Sequence, residues 1–199
     1  MLFKLKRMNI RNSIAASIAV KQQMLEDKEI DRSVEAMAES CIKSLQAGGK
    51  VLFCGNGGSA ADAQHLSAEL SGRFQYDRPP LFAEALHVNS SFVTAVANDY
   101  HYDLVFARMV EAMGRKGDVL IALSTSGNST SILNAAKKAK EAGMVVIGFS
   151  GATGGALKSL CDHVLLVPSS ITARIQEAHI MIGHILCDII EQTMFPTNN

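Results

Sequence analysis

Apolar and polar positions along the chain fall into two repeating patterns. Five short runs are almost wholly apolar: KVLFC (50–54), FAEALHV (82–88), DVLIALS (118–124), MVVIGFS (144–150) and HVLLVP (163–168). Segments with helical spacing separate and follow them, near 59–74, 90–112, 129–142 and 153–161 and from about 172 to 194. Strands that alternate with helices and are apolar on both faces are typical of a parallel sheet with right-handed crossovers. The pattern predicts an α/β fold, with a five-stranded parallel sheet flanked by helices.

A further helical pattern precedes the first strand, over residues 13–46, and Asp31 or Ser33 is the expected break between two helices. The apolar faces of such helices need cover, and a second subunit is one candidate. At 199 residues the chain is long enough for one domain with an ordinary core. We therefore predict a single domain, 1–199, in which an N-terminal helical segment (1–48) serves oligomerisation and precedes an α/β sandwich (49–194).

The overall charge argues against nucleic-acid binding. Lys plus Arg and Asp plus Glu each number 19, so the formal net charge is zero, and no basic stripe is evident. The four cysteines lie in apolar or helical stretches without a CxxC spacing, which favours buried thiols in a reducing compartment. No apolar run has the length of a membrane span or the form of a signal peptide. These features predict a cytoplasmic protein without direct nucleic-acid or membrane partners.

Two loops at strand ends carry the residues of an anion site. GNGGS (55–59) follows the first apolar run, and STSGNS (124–129) follows the third. Ligands of an open parallel sheet bind beyond the carboxyl ends of its strands, and the second loop offers hydroxyls and helix N-terminal N–H groups around a space left open by Gly127. Neither loop contains Lys, Arg or a nucleotide motif, which favours a small monophosphate over a triphosphate. A serine-rich helix cap without a ligand is the alternative.

Polar residues on two helices form a candidate metal site. His65 and Glu69 are four residues apart and share a helix face directly after the first loop, although Glu69 could instead pair with Arg73. The last helix is strongly apolar but carries Gln176, His179 and His184, and buried polar side chains need partners. Two imidazoles, a carboxylate and an amide are a credible ligand set for a divalent metal, and the imidazoles favour zinc.

Four separated segments carry a resemblance to a known family. They are CGNGGSAADAQHLSAELSGRF, ANDY, DVLIALSTSGNS and ARIQEAHIMIGH. In this order they resemble the phosphoheptose isomerase (sedoheptulose 7-phosphate isomerase) family of the sugar-isomerase (SIS) fold, over about residues 35–192. The resemblance implies a SIS-type, flavodoxin-like three-layer sandwich with N-terminal helices. It also implies a homotetramer whose active sites form between subunits.

The resemblance, carried over motif by motif, implies three groups of site residues. The substrate-binding group comprises Asn56, Gly57, Gly58, Ser59, Glu69, Asn98, Asp99, Ser124, Thr125, Ser126, Ser129 and Gln176. The zinc ligands are His65, Glu69, Gln176 and His184, and the acid–base pair is Glu69 with His184. One departure is Ala173, where relatives often carry Asp before RIQE, so a proton-handling role at that position is in doubt.

The implied reaction interconverts a ketose phosphate and an aldose phosphate through an enediolate. Glu69 would remove a proton from C1 of sedoheptulose 7-phosphate and return it at C2, and His184 would move the oxygen-bound proton. The product, D-glycero-D-manno-heptose 7-phosphate, would begin ADP-heptose and lipopolysaccharide-core biosynthesis. Glu69 cannot easily be a tight zinc ligand and a free base at once, and the sequence leaves that choice open.

Two other functions fit parts of the same pattern. TARIQEAH and LCDIIEQTMFP also resemble a tetrameric SIS-domain scaffold that binds the bacterial replication initiator, but such a scaffold needs neither Glu69 nor His184. A regulatory module that binds a sugar phosphate would be expected to carry a helix-turn-helix domain, and the sequence shows none. The isomerase is therefore the favoured function.

One expectation rests on helix geometry alone. Gln176 and His184 are eight residues apart, about 12 Å along a straight helix. Both would reach one ion from the same helix only with difficulty. We therefore expect one of them, or the whole helix relative to His65 and Glu69, to come from a neighbouring subunit.

Overall fold

One parallel sheet of five strands forms the centre of the computed structural model, which describes residues 10–197. The strands are β1 (Val51–Gly55), β2 (Ala83–Ala85), β3 (Val119–Ser124), β4 (Val145–Ser150) and β5 (His163–Leu166). Every neighbouring pair is parallel, in the spatial order β2-β1-β3-β4-β5. This is the flavodoxin-like order, in which the direction of strand addition reverses between β1 and β3. The predicted five-stranded parallel sheet is confirmed.

Helices cover both faces of this sheet. They are α1 (Ile10–Glu26), α2 (Lys28–Gln46), α3 (Gly58–Ser71), α4 (Ser90–Asp99), α5 (Val105–Met113), α6 (Thr130–Glu141) and α7 (Thr172–Met194). Side chains of α1, α2, α3 and α7 share one buried cluster with Val51 and Phe53 of β1. Side chains of α4, α5 and α6 share the other cluster with Leu52 and Cys54. Alternate residues of one strand thus face two apolar layers, which is why the strands are apolar throughout.

The break between the two N-terminal helices lies at Asp27, so the expected break at Asp31 or Ser33 is wrong. The Asp27 carboxylate accepts a hydrogen bond from the N–H of Glu29 (3.0 Å) and caps α2. Asp31 and Ser33 both lie inside α2. Residues 1–9 of the predicted N-terminal segment lie outside the described residues.

Three predicted elements are shorter or more divided than the hydrophobic pattern indicates. β2, at the edge of the sheet, keeps three residues of the predicted strand 82–88. The predicted helix 90–112 is divided into α4 and α5 by a 3₁₀ turn, Tyr102–Leu104. At the start of this turn, Nδ1 of His101 accepts a hydrogen bond from the N–H of Asp103 (3.2 Å). The predicted helix 153–161 is a 3₁₀ segment, Gly155–Leu160.

All four cysteines are free thiols. Burial raises the pKa of each of them, to about 12 for Cys41 and Cys161. They are therefore neutral packing groups at physiological pH. Among the helices of residues 10–197, none combines the length and hydropathy that a membrane span needs.

A buried histidine on α7 makes the fold sensitive to acid. His179 is fully buried against Phe149, and its Nε2 lies 3.3 Å from the carbonyl oxygen of Ser150. Burial lowers the pKa of His179 to about 4, and the Ser150 carbonyl offsets only part of this shift. Between pH 6.5 and about 4 the unfolded chain therefore binds a proton that the folded chain does not, so stability is lost as the pH falls through this range.

We expect His179→Met to flatten this pH dependence. The wild-type protein should lose up to about 3 kcal/mol of unfolding free energy between pH 6.5 and 4 through this histidine. Urea unfolding at a series of pH values measures the difference, because the variant lacks the titrating group. The Ser150 carbonyl keeps a hydrogen bond from the N–H of Val167 in the variant. His101→Gln, at an exposed imidazole, is the control, and equal slopes for wild type and His179→Met would contradict the prediction.

Candidate active site

The two predicted anion loops meet where the strand order reverses. Loop 55–59 follows β1 and loop 124–129 follows β3, and these two strands are hydrogen-bonded neighbours. A cavity of about 340 Å³ lies between the loops and the start of α7. Its lining residues are Asn56, Gly57, Gly58, Ser59, Leu123, Ser124, Thr125, Thr172 and Gln176. The sheet topology thus brings most of the predicted substrate-binding residues to one cavity.

The 124–129 loop reaches a second cavity and packs closely on a neighbouring turn. Ser126 lines this second cavity of about 280 Å³, which shares Thr125 and Thr172 with the first. Gly127 has φ +65°, and a Cβ atom there would lie 2.0 Å from the carbonyl oxygen of Gly154. The glycine therefore allows two backbones to approach, and the expectation that it leaves space for a ligand is wrong.

Asn56 links the two loops through its side-chain amide. Nδ2 donates to Oγ of Ser129 (2.9 Å) and to Oγ of Ser131 (3.0 Å). Oδ1 accepts a hydrogen bond from the hydroxyl of Tyr102 (2.7 Å). Ser129 is the N-cap residue of α6, yet within the described chain its hydroxyl makes no capping bond to that helix. The Ser129 hydroxyl thus contacts Asn56 instead of capping the helix.

The other two predicted sugar-binding residues lie at the exposed end of α4. Nδ2 of Asn98 donates to Oδ1 of Asp99 (2.8 Å). Both side chains face solvent, and the 3₁₀ turn that carries Tyr102 follows directly. The hydrogen bond from Tyr102 to Asn56 therefore joins this segment to the two loops.

His65, Glu69 and His184 come together within one chain. Their ligating atoms all lie within 4.8 Å of one another. Nε2 of His65 is 2.9 Å from Nε2 of His184 and 3.2 Å from Oε1 of Glu69. Two imidazoles and a carboxylate at this spacing suit zinc. Asp62 lies one turn before His65, and burial raises the pKa of its carboxyl against the opposing effect of that imidazole.

Close packing of α3 on α7 produces this cluster. A Cβ atom at Gly183 would lie 2.4 Å from Cδ1 of Leu66, so the missing side chain lets the two helices approach. His184 is the next residue after this contact, and His65 is the residue before Leu66. The ring of Phe74 stacks on His184, with centroids 5.7 Å apart and an angle of 25°. The imidazole of His184 thus contacts two rings, those of His65 and Phe74.

A buried ion pair supports the segment that carries Phe74. Nε of Arg78 donates to Oε1 of Glu191 (2.9 Å), and both side chains are almost fully buried. The guanidinium also donates to four backbone carbonyls at and beyond the end of α3: Glu69, Leu70, Gly72 and Pro79. Arg78 therefore joins the backbone of Glu69 to the end of α7.

Glu191 completes this arrangement from α7. Its carboxylate accepts hydrogen bonds from the N–H groups of Phe74 (2.9 Å) and Gln75 (2.6 Å). Burial would raise the pKa of this carboxyl, but these two N–H groups and Arg78 outweigh that effect and lower it. The residue is therefore ionised and holds Phe74 beside His184.

Gln176 lies beside the first loop, at the cavity. Its side-chain amide approaches the backbone of Gly58 so closely that a Cβ atom at that glycine would lie 2.5 Å from Nε2. The expectation that the whole of α7 reaches His65 and Glu69 from another subunit is wrong, because His184 of the same chain contacts His65. Helix packing in the interior of one chain decides this point. The alternative, in which one of Gln176 and His184 comes from a neighbouring subunit, stays a prediction. The helical spacing of Gln176 and His184 instead separates the two residues along α7.

Comparison with known proteins gives the family. A model of the SIS domain matches residues 14–151. A phosphoheptose isomerase from Clostridium acetobutylicum is 52% identical over 186 residues, which cover 94% of this chain and 95% of that protein. The chain belongs to the phosphoheptose isomerase family.

Solved structures of this family have the same fold. The phosphoheptose isomerase from Neisseria gonorrhoeae superposes with a TM-score of 0.84 at 44% identity, covering 91% of this chain and 97% of the other. The phosphoheptose isomerase from Francisella tularensis superposes with a TM-score of 0.88 at 40% identity, covering 92% and 96%. The predicted SIS-type fold is confirmed.

Several residues of this phosphoheptose isomerase site do not follow from the sequence pattern. They are Phe74, Arg78, Tyr102, Ser131 and Glu191. One signal was available, because Glu191 is an acidic residue in a strongly apolar helix and so requires a buried partner. The others are contacts between segments far apart in sequence, and no local spacing identifies them.

Proposed function

We propose that this member of the phosphoheptose isomerase family converts sedoheptulose 7-phosphate to D-glycero-D-manno-heptose 7-phosphate. The observation that carries the proposal is the pairing of a hydroxyl-lined cavity with a carboxylate and two imidazoles on the adjoining helices. Relatives that are about half identical to this chain are named phosphoheptose isomerases. The scaffold that binds a replication initiator has no support from these relatives.

Glu69 and His184 are the proposed catalytic residues. The Glu69 carboxylate removes a proton from C1 of the ketose, and the resulting enediolate receives it at C2. His184 moves the remaining proton between the oxygens on C1 and C2. Ala173 places no carboxylate at the start of α7, so both proton transfers are assigned to Glu69 and His184.

The loops hold the substrate at its far end. Ser124, Thr125, Ser126 and Ser129 are the proposed phosphate ligands, with the N-terminus of α6 as a source of positive potential. The remaining proposed sugar contacts are Asn56, Gly57, Gly58, Ser59, Asn98, Asp99 and Gln176. Binding at the phosphate orients C1 and C2 relative to Glu69, which lowers the entropic part of the barrier.

His65, Glu69 and His184 are the proposed zinc ligands, and Gln176 is proposed as a further ligand. Zinc bound there would supply Lewis-acid polarisation of the sugar oxygens. The carboxylate and imidazole of the proposed acid–base pair belong to the same cluster. A chelator therefore distinguishes the two proposed roles of Glu69, zinc ligand and general base. Removing the metal abolishes the first role but leaves the carboxylate able to accept a proton.

The proposed activity is tested by incubating the protein with sedoheptulose 7-phosphate, with and without a chelator, and following the aldose product by NMR. We expect heptose 7-phosphate to form, and sedoheptulose without its phosphate to react far more slowly. No conversion under any condition, including added zinc, would overturn the proposal. Conversion that is unchanged by the chelator would remove zinc from it but leave the isomerase.

A homotetramer is the proposed assembly, and α1 is the proposed contact helix. Three exposed isoleucines, Ile10, Ile14 and Ile18, recur every four residues along it, and each exposes more than half of its surface. An apolar stripe of this kind favours burial against a second copy. The cytoplasmic location and the place in ADP-heptose and lipopolysaccharide-core synthesis are proposed with the activity. So is the division of a single SIS domain, 1–199, into an N-terminal oligomerising segment and an α/β sandwich.

We expect Ile14→Lys to dissociate the tetramer. A charge in the centre of the stripe would be desolvated in the interface. The free-energy cost of this desolvation exceeds the stabilisation gained from the remaining apolar contacts. Light scattering coupled to gel filtration gives the mass of the assembly. Gln23→Lys is the matched control, because it adds the same charge to an exposed position on the opposite side of α1. A tetrameric Ile14→Lys variant would exclude α1 as the contact helix.

A further inference from the structure

The orientation of the Asn56 amide decides what this residue offers to a ligand. Its two amide hydrogens are both directed to hydroxyl groups within the protein, those of Ser129 and Ser131. Its oxygen accepts a hydrogen bond from the hydroxyl group of Tyr102. A carbonyl oxygen has two lone pairs, so one remains. Asn56 therefore faces the cavity as a hydrogen-bond acceptor, suited to a sugar hydroxyl rather than to a phosphate oxygen.

The same contacts set the direction of the Ser129 hydroxyl. Ser129 accepts a hydrogen bond from Asn56, so its own proton is available for another partner. Ser131 is buried (2% exposed), and its Oγ lies 3.3 Å from Oγ of Ser129, which gives the Ser131 proton an acceptor. Because Ser129 makes no capping bond within the described chain, its proton can be donated to an anion bound at the N-terminus of α6.

A chain of hydrogen bonds therefore runs from Tyr102 through Asn56 to Ser129. Each donor in such a chain is polarised by the bond it accepts, so the last donor is a stronger one than an isolated hydroxyl. The last donor here is Ser129, at the N-terminus of α6, where negative charge is also favoured by the helix dipole.

Tyr102 is held in place independently of its hydroxyl. Its ring meets the ring of Phe106 edge to face, with centroids 6.4 Å apart. The 3₁₀ turn is tied to α6 by Asn134, whose Nδ2 donates to the carbonyl oxygen of Asp103 (3.1 Å). A phenylalanine at position 102 would keep the ring contact and lose only the hydrogen bond to Asn56.

We propose that Tyr102 is a positioning residue for the anion site, acting through Asn56 to present the Ser129 hydroxyl to a phosphate monoester. The proposal rests on the proposed function for the identity of the ligand. It assigns to Tyr102 no contact with the reacting carbons. A second consequence is that phosphate binding and the position of the segment carrying Asn98 and Asp99 depend on one another.

The test is Tyr102→Phe, with Tyr100→Phe as the matched control in the same segment. The ring of Tyr100 lies against the guanidinium of Arg108, whereas the hydroxyl of Tyr102 donates to Asn56. We expect Tyr102→Phe to raise the KM for sedoheptulose 7-phosphate and the Kd for inorganic phosphate by about 3- to 10-fold, with kcat changed less than about twofold. The control should change neither constant, and both variants should keep the wild-type Tm.

A second variant tests the whole chain of hydrogen bonds rather than Tyr102 alone. Ser131→Ala removes another hydrogen-bond partner of the Asn56 amide. In the double variant with Tyr102→Phe, the two effects on phosphate binding should therefore be less than additive. An unchanged Kd for phosphate in Tyr102→Phe, or an equal change in Tyr100→Phe, would overturn the proposal. Because phosphate binding is measured by calorimetry without turnover, a protein that isomerises nothing but binds phosphate in a Tyr102-dependent way would contradict only the proposed function.

Discussion

Glu69→Gln is expected to lower kcat for heptose isomerisation by about 10²- to 10⁴-fold, the usual contribution of a positioned general base. The amide has nearly the same shape but cannot accept the C1 proton. The KM for the sugar phosphate should change little, because the phosphate is held by the hydroxyl loops at a distance from this carboxylate. Turnover measured by NMR, together with the exchange of the C1 proton for solvent deuterium, gives both quantities.

Two controls separate the base from the ligand role of Glu69. Glu35→Gln, at an exposed position of α2, should have wild-type kinetics. Zinc content, measured on the same preparation of Glu69→Gln, shows whether the metal has been lost with the carboxylate. A variant that keeps zinc and still exchanges the C1 proton at the wild-type rate would exclude Glu69 as the base.

Arg78→Met is expected to lower the free energy of unfolding by about 3–5 kcal/mol. The substitution leaves the Glu191 carboxylate buried without its counter-ion. An unpaired buried charge destabilises a fold by far more than an exposed ion pair stabilises it. It also removes the donor to four carbonyl oxygens around the end of α3. Urea unfolding gives the stability. Near-ultraviolet circular dichroism of the folded variant reports any change in packing around the aromatic rings.

The double variant Arg78→Met/Glu191→Met distinguishes an unpaired charge from a loss of packing. Replacing both charges together removes the buried charge, so the double variant should be more stable than the sum of the single variants predicts. It should not reach wild-type stability, since the N–H groups of Phe74 and Gln75 lose their acceptor. Arg32→Met, at an exposed pair with Glu29, should change the stability by less than about 0.5 kcal/mol. If the losses of unfolding free energy in the two single variants simply added in the double variant, coupling between Arg78 and Glu191 would be contradicted.

The sequence was sufficient for the sheet and for the two loops, because both follow from local pattern. Buried parallel strands are apolar throughout, and glycine and hydroxyl residues after two of them mark the ends where ligands bind. The boundaries of α2 and of the 3₁₀ turn were less predictable. Asp27 is one of several acidic residues near the start of α2, and only the backbone conformation selects it as the cap.

The metal cluster was predicted in part, for a geometric reason. His65 and Glu69 are neighbours on one helix turn, so their pairing is local. His184 joins them because Gly183 lets α7 approach Leu66, and this depends on how two distant helices pack. The same packing leaves Gln176 beside Gly58, at the cavity. Residues that act through others, such as Arg78 and Tyr102, become visible only when segments distant in sequence are brought together.

The position of α7 after all five strands also sets an order of events during synthesis. The two hydroxyl loops have been made by the time α6 is complete, but Thr172 and Gln176 of the cavity, like His184 and Glu191, belong to α7. Until that helix emerges from the ribosome, the face of the sheet that it covers remains exposed to water. A nascent chain that stops before Thr172 should therefore be prone to aggregation and degradation. The candidate metal cluster of His65, Glu69 and His184 is therefore complete only after α7 has been made.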